Sequence, residues 1–237
     1  MRLDQYLLEK GYCKSRQKAK ELITQARVYV GGKIICKPAF WIPPEGTEEV
    51  VVDVKRVFPS RAGEKLWAFL ETSKLEVRGK SVLDVGSSTG GFAQALLYRG
   101  ARAVTCVDVG SHQLDTALRE DPRIRLFEQC DIREFQTQES FDLLVCDVSF
   151  ISLSKILDFL IPLSACFILL FKPQFEVGLC AKRSKKGVVL DAEAIKKRCL
   201  EFEAEIEAKG LQLKNMQKSS LKGKAGNEEF FFYIEKH

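Results

Sequence analysis

Two histidines in 237 residues leave little with which to build a metal centre. The eight cysteines do not make up the shortage. They stand far apart, with Cys166 and Cys180 the closest pair, and no CxxC or Cys/His spacing suits zinc, so no metal is expected. Scattered thiols of this kind suit a reducing, cytoplasmic compartment. A long apolar run is missing as well. The best stretch, FLIPLSACFILLF from Phe159 to Phe171, is roughly half of what a membrane span needs and contains Pro162. The opening MRLDQYLLEKGYC alternates charge with leucine and does not read as a secretory signal, so no membrane partner is expected. Gly-Lys-Ser/Thr is also lacking, which disfavours an NTPase loop.

What is present is unevenly spread. The net charge is +5, yet residues 1–41 hold nine Lys/Arg against Asp4, Glu9 and Glu21, which leaves the rest close to neutral. A concentrated basic end points to a polyanionic partner. Leu3, Tyr6 and Leu7 recur at helical spacing and stop near Gly11. Ser15 can cap a second helix with Ala19, Leu22, Ile23 and Ala26 on its apolar face. RVYVGGKIICKP reads as a hairpin turning at Gly31-Gly32, and EEVVVDV offers one more strand. This order of elements, over residues 1–55, resembles the S-four RNA-binding domain. The resemblance implies RNA contact through the second helix and the hairpin, making Lys14, Arg16, Lys18, Lys20 and Lys33 candidate phosphate contacts.

From Gly79 the chain alternates. Strands are predicted in KSVLDVGSS, AVTCVDVG, RIRLFEQCDI, FDLLVCDVSF, ACFILLFKPQF and NEEFFFYIEK. Helices are predicted in GGFAQALLYRG, SHQLDTALRE, ISLSKILDFLIP and DAEAIKKRCLEFEAEIEAKG. Apolar strands alternating with helices imply an α/β fold, a doubly wound sheet covered on both faces. The expected organisation is a small N-terminal α+β domain over 1–55, a linker over 56–60 and a larger domain over 61–237.

VLDVGSSTGGF, from Val82 to Phe92, is a strand running into a turn at a helix N-terminus, where free N–H groups favour anions or close backbone approach. A dinucleotide loop prefers G-x-G-x-x-G, and here Ser88 stands at the middle position between Gly86 and Gly91, which weakens that reading. Asp108 lies 22 positions beyond Gly86, at the predicted end of the second strand, where an acid accepts both ribose hydroxyls of an adenosine cofactor. Asp131 ends the third predicted strand, with Cys130 and Ile132 placed to meet an adenine, and Asp84 at the end of the first is placed to orient the loop near a cationic group. The candidate cofactor residues are therefore Asp84, Gly86, Ser87, Ser88, Thr89, Gly90, Gly91, Phe92, Asp108, Val109, Asp131, Ile132 and Asp147.

Lys172, after an apolar run and before a proline, is placed at a strand's C-terminal end, where open α/β sheets bind ligands. Asp147 ends LLVCDVSF similarly, Lys65 lies in GEKL on a helix entering the domain, and Glu229 begins the last strand, with Glu228 its rival. The motifs SRAGEKL, LDVGSSTGGF, VDVG, CDVSFISL, KPQFEVG, GVV and GNEEFF resemble the class I methyltransferases, specifically their FtsJ-like RNA 2′-O-methyltransferase branch. With the basic module in front, the whole chain resembles the TlyA family, many of whose members are named haemolysins; Ala62 departs from that family's usual glycine.

The resemblance implies a Rossmann-like fold, S-adenosylmethionine as cofactor, and methyl transfer to 2′-hydroxyls of ribosomal RNA, on cytidine of the small or large subunit or both. It also implies a catalytic tetrad of Lys65, Asp147, Lys172 and Glu229. Lys172 would be the general base or the cation polarising the hydroxyl. Asp147 and Lys65 would position it, and Glu229 would hold Lys65 or the ribose. The segment VGLCAKRSKKGVVLD adds Lys182, Arg183, Lys185 and Lys186 as candidate RNA contacts in a loop expected to close over substrate. Two other readings remain open: a membrane-lytic protein, as the haemolysin name suggests, and a non-catalytic RNA-binding factor in ribosome assembly.

Overall fold

A computed structural model of the chain describes residues 1–24, 27–42, 49–52, 58–178 and 180–236. Two compact units divide it, Met1–Val57 and Phe58–His237. Ala26 and residues 56–57 of the expected linker lie outside the described residues.

In the first unit, α1 (Leu3–Glu9) gives out before Gly11, which has φ +74°. Ser15 opens α2 (Arg16–Thr24), its Oγ accepting from the Lys18 amide at 3.1 Å, the bond a helix N-cap makes to an otherwise unpaired N–H. Gly31 and Gly32 both take positive φ and turn β1 (Val28–Val30) into β2 (Lys33–Ile34). β1 also pairs with β3 (Val50–Val52). Leu3, Leu7, Leu22, Ile23, Val28 and Ile42 form the core these elements share.

The described residues of the second unit build a seven-stranded sheet. Its elements in chain order are α3 (Arg61–Ser73), β4 (Ser81–Val85), α4 (Gly91–Tyr98), β5 (Ala103–Val107), α5 (Thr116–Arg119), β6 (Ile124–Phe127) and β7 (Leu143–Cys146), followed by α6 (Leu157–Leu160), β8 (Cys166–Phe171), α7 (Pro173–Glu176), α8 (Ala192–Ala208), β9 (Leu211–Lys218) and β10 (Phe230–Lys236). The strand order is β6-β5-β4-β7-β8-β10-β9. The first five run parallel, and β10 is antiparallel to both neighbours. The order reverses between β4 and β7, the switch point at which open α/β sheets take ligands.

Apolar side chains cover both faces, as a buried parallel sheet requires. Alternation along β10 shows it: Phe231 stacks on Phe69 of α3 on one face, and Phe232 packs with Phe171 and with Phe202 of α8 on the other. Each such ring, fully buried, contributes on the order of 2–3 kcal/mol.

Several elements differ from the sequence expectation. SHQLDTALRE is not one helix: His112 takes φ +55°, and Asp115 caps a single turn by accepting from the Ala117 amide at 3.0 Å. ISLSKILDFLIP breaks into α6 flanked by 3-10 turns, because Ser152 caps the first and Pro162 fits only a first-turn position. β6 stops at Phe127, so Asp131 lies four residues past the strand end rather than on it. β9 is an addition to the predicted strands, and Glu229 immediately precedes β10.

Candidate active site

At the switch point, Gly86 follows β4 with φ +80°, and a Cβ there would lie 2.8 Å from the carbonyl oxygen of Asp147. Only glycine satisfies both the conformation and the close approach of the β7 terminus. Beside this turn opens a cavity of about 350 Å³, within the range of small-molecule sites. Among the predicted cofactor residues, Gly86, Ser88, Asp108, Val109, Asp131, Ile132 and Asp147 line it.

Asp108 is held by two amides, Ser88 N–H at 2.8 Å and Gly110 N–H at 2.7 Å, one to each carboxylate oxygen. Each oxygen keeps a lone pair for a hydroxyl, the demand a ribose diol makes. Asp131 reaches the cavity although β6 ends early. The amide of Gln129 donates to Gly110 O and that of Cys130 to Asp108 O, folding the loop back beside β5. Arg133 pairs with Asp131 at 2.5 Å, and this bonding holds the Asp131 carboxyl below its ordinary range.

Asp84, Ser87, Thr89, Gly90, Gly91 and Phe92 do not line the cavity; they build what supports it. Gly91 lets α4 approach α3, since a Cβ there would fall 2.8 Å from the Gly63 nitrogen, and Phe92 is in the core. Asp84 is completely buried, and among the described residues neither of its oxygens nor the Ser87 hydroxyl makes a well-formed hydrogen bond. Burial, and then the charge of Asp147, push the Asp84 carboxyl well above the ordinary carboxylate range.

Two ion pairs stand at the same end of the sheet. Lys172 Nζ lies 2.6 Å from Asp147 Oδ1 and donates to Ser149 Oγ at 3.0 Å. Lys65 Nζ donates to Glu229 Oε2 at 2.6 Å, both side chains buried. Strand pairing brings these residues together: Phe230 sits opposite Phe171, so Glu229 and Lys172 share one end of β10 and β8. Glu228 points elsewhere, to Lys218 at 2.5 Å on the surface. Burial raises the Asp147 carboxyl, opposed first by Lys172 and then by Lys65, so both lysines act on it.

Among the candidate RNA contacts, Lys14, Lys20, Lys33, Lys182, Lys185 and Lys186 are exposed. Lys18 pairs with Glu21 at 3.5 Å, and Arg16 is tied at 3.2 Å to Asp4, a fully buried acid that also holds Arg2 at 3.0 Å. Arg183 is engaged inward, its guanidinium donating to the carbonyls of Gln174 and Val177 at 3.2 Å each. The expected closing loop is a pinned hairpin: Ser184 N–H donates to Val188 O, Leu190 N–H to Lys182 O, and the Val189 amide to Asn227 Oδ1 at 2.9 Å.

Sequence reasoning missed Ser149, which touches the candidate base, and Phe150, which lines the cavity and is 91% exposed. Their signal lay in CDVSFISL, where two polar or aromatic residues follow a strand-end acid. Among the described residues no group of three or more His, Cys, Asp and Glu is placed to hold a metal, and no helix is long and apolar enough to cross a membrane.

Comparison with known proteins identifies the family of both units. Residues 58–236 match the FtsJ-like methyltransferase family and residues 1–45 the S4 domain. The chain is 43% identical to the 23S rRNA (cytidine-2′-O)-methyltransferase TlyA of Campylobacter jejuni, covering all of both chains. It is 37% identical to the 16S/23S rRNA (cytidine-2′-O)-methyltransferase TlyA of Mycobacterium tuberculosis, over 98% of this chain and 89% of that one. Identity to Hemolysin A of Brachyspira hyodysenteriae is also 37%, over 99% of each. A solved Streptococcus thermophilus structure described as a hemolysin superposes with a TM-score of 0.71 at 31% identity, covering 100% of this chain and 88% of that one.

Proposed function

Because this chain belongs to the TlyA family, FtsJ-like methyltransferases preceded by an S4 domain, we propose that it methylates ribose 2′-hydroxyls of cytidine in ribosomal RNA, in the cytoplasm, using S-adenosylmethionine. When bound, that cofactor supplies an electrophilic methyl group on a sulfonium.

The residues present fit it. Asp108, braced by two amides, has lone pairs left for the ribose diol, and Ile132, Val109 and Cys130 offer apolar surface for the adenine. Gly86 keeps the turn beside the cavity free of a side chain that would collide with the Asp147 backbone. Asp84 shapes the turn from below, being buried out of ligand reach.

A ribose hydroxyl is a poor nucleophile, so its proton must be drawn off as it attacks. Lys172 is the group for this, accepting the proton when its amine is neutral or polarising the hydroxyl as an ammonium: its Nζ is fixed between Asp147 and Ser149 at the rim of the cofactor cavity. Asp147 aims Lys172, and the buried Lys65–Glu229 pair sets the local field and holds the floor of the site. That Lys172–Asp147 pair beside the glycine turn is the observation that carries the proposal. The exposed lysines of the first unit and of the 182–190 hairpin serve as phosphate contacts.

Incubating full-length protein with unmodified ribosomal subunits and methyl-labelled cofactor tests this. Label is expected on a cytidine 2′-oxygen, and none on RNA carrying a 2′-deoxy target. Lys172→Ala and Asp147→Ala should each lower kcat by about 10²–10⁴ while leaving RNA affinity intact. Subunit assembly that depends on the protein but survives both substitutions would support the non-catalytic reading instead.

A further inference from the structure

Glu176 is a carboxylate whose side chain is 1% exposed and which the chemistry above does not use. It ends α7, four residues past Lys172, and both its oxygens reach across to the segment that follows Asp147. Oε2 accepts from Ser152 Oγ at 2.6 Å, and Oε1 accepts from the Leu153 amide at 2.7 Å. Arg198 of α8 approaches the same carboxylate at 3.6 Å and also donates to Ser154 Oγ at 2.5 Å. Burying a carboxylate is costly unless it is paired and hydrogen-bonded, and here the pairing draws on both the 152–153 turn and α8.

What these bonds hold is a strained segment. Phe150 takes φ +67°, a left-handed conformation that bulky side chains rarely adopt and that persists only where its surroundings enforce it. The residue is 91% exposed, so burial does not enforce it. The attachments are Lys172 to Ser149 on one side, the Phe150–Phe175 ring contact at 5.2 Å, and Glu176 on the other. Glu176 is the fixed end. α7 is braced by Arg183, which donates to its Gln174 carbonyl, and by Arg198 from the 17-residue α8.

From this geometry we infer that Glu176 is a positioning residue of the reaction centre: it clamps residues 149–153 so that Ser149 meets Lys172 and Phe150 and Ile151 complete the cofactor cavity. The inference rests on the methyltransferase reading above. It assigns Glu176, Ser152 and Arg198 a role separate from the tetrad.

The test uses the full-length protein, methyl transfer to ribosomal subunits at saturating substrates, calorimetric cofactor affinity and thermal melts. Glu176→Ala should lower kcat roughly 10- to 100-fold and weaken cofactor binding several-fold, the scale of a reacting group misplaced by about 1 Å. Glu176→Gln still accepts from the Leu153 amide and bonds Ser152, so it should recover kcat to within about three-fold of wild type. Ser152→Ala, which leaves the Arg198 pair intact, should lower kcat about three- to ten-fold at temperatures where it is fully folded, beside a modest fall in melting temperature from the lost cap and the unpaired Glu176 oxygen; this variant decides the matter if Glu176→Ala does not fold. A lower melting temperature in Glu176→Ala with wild-type kcat and cofactor affinity would reduce Glu176 to a brace and overturn the inference. So would a Gln variant as impaired as Ala, or a Ser152→Ala enzyme with wild-type kcat. Wild-type protein that transfers no methyl to ribose would instead overturn the reading beneath it.

Discussion

Asp84 illustrates how a single side chain trades stability for a site. Its carboxyl is raised by burial and by the nearby Asp147 charge, so the folded state holds the proton more tightly than the unfolded chain does. The stability this contributes is fully present below the unfolded value near 3.8 and is lost as pH rises through the folded one. Asp84→Asn removes that titration. Its melting temperature should exceed the wild type's by a margin that widens as pH rises above the unfolded value near 3.8, and a constant margin would contradict the assignment. Gly86 makes the opposite case. Gly86→Ala adds a methyl 2.8 Å from a carbonyl oxygen at φ +80°, and should destabilise the fold by about 1–3 kcal/mol in denaturant unfolding while abolishing cofactor binding.

Among the elements, the 182–190 hairpin separates two kinds of basic residue that look alike in the sequence. Arg183→Ala should lower the melting temperature, since it frees the carbonyls of Gln174 and Val177. Lys185→Ala with Lys186→Ala should leave melting unchanged and weaken RNA binding, flattening the log-affinity against log-salt line by about 0.7–0.9 per lost contact. The element pattern was legible wherever periodicity was long, as in α8, α4 and the apolar strands. It was not legible where local hydrogen bonds compete with it. Asp115 and Ser152 cap short turns inside stretches whose apolar spacing alone suggests continuous helices. β9 alternates partly buried and exposed residues, but the partly buried ones include Asn215 and Gln217, which mutes the signal. Within the site, strand-end charges were readable from their apolar flanks. Ser149 and Glu176 were not, because they act through loop backbone geometry that composition does not record.

Across the whole molecule, positive charge and chemistry occupy different units. The excess of basic residues lies in 1–41, whereas the cavity and both ion pairs belong wholly to the unit starting at Phe58. Replacing Lys14, Lys20 and Lys33 together by alanine should therefore weaken ribosomal RNA binding and its salt dependence while leaving kcat at saturating RNA unchanged, as filter binding and steady-state kinetics would report. The sheet order carries a last consequence. β10 enters between β8 and β9, and the residue leading into it supplies the partner of Lys65. During synthesis, then, no chain should become competent before residues 229–236 leave the exit tunnel. A message cut short after Lys218 would yield a product with an unzipped border, a stranded ammonium in its interior and no enzyme to speak of.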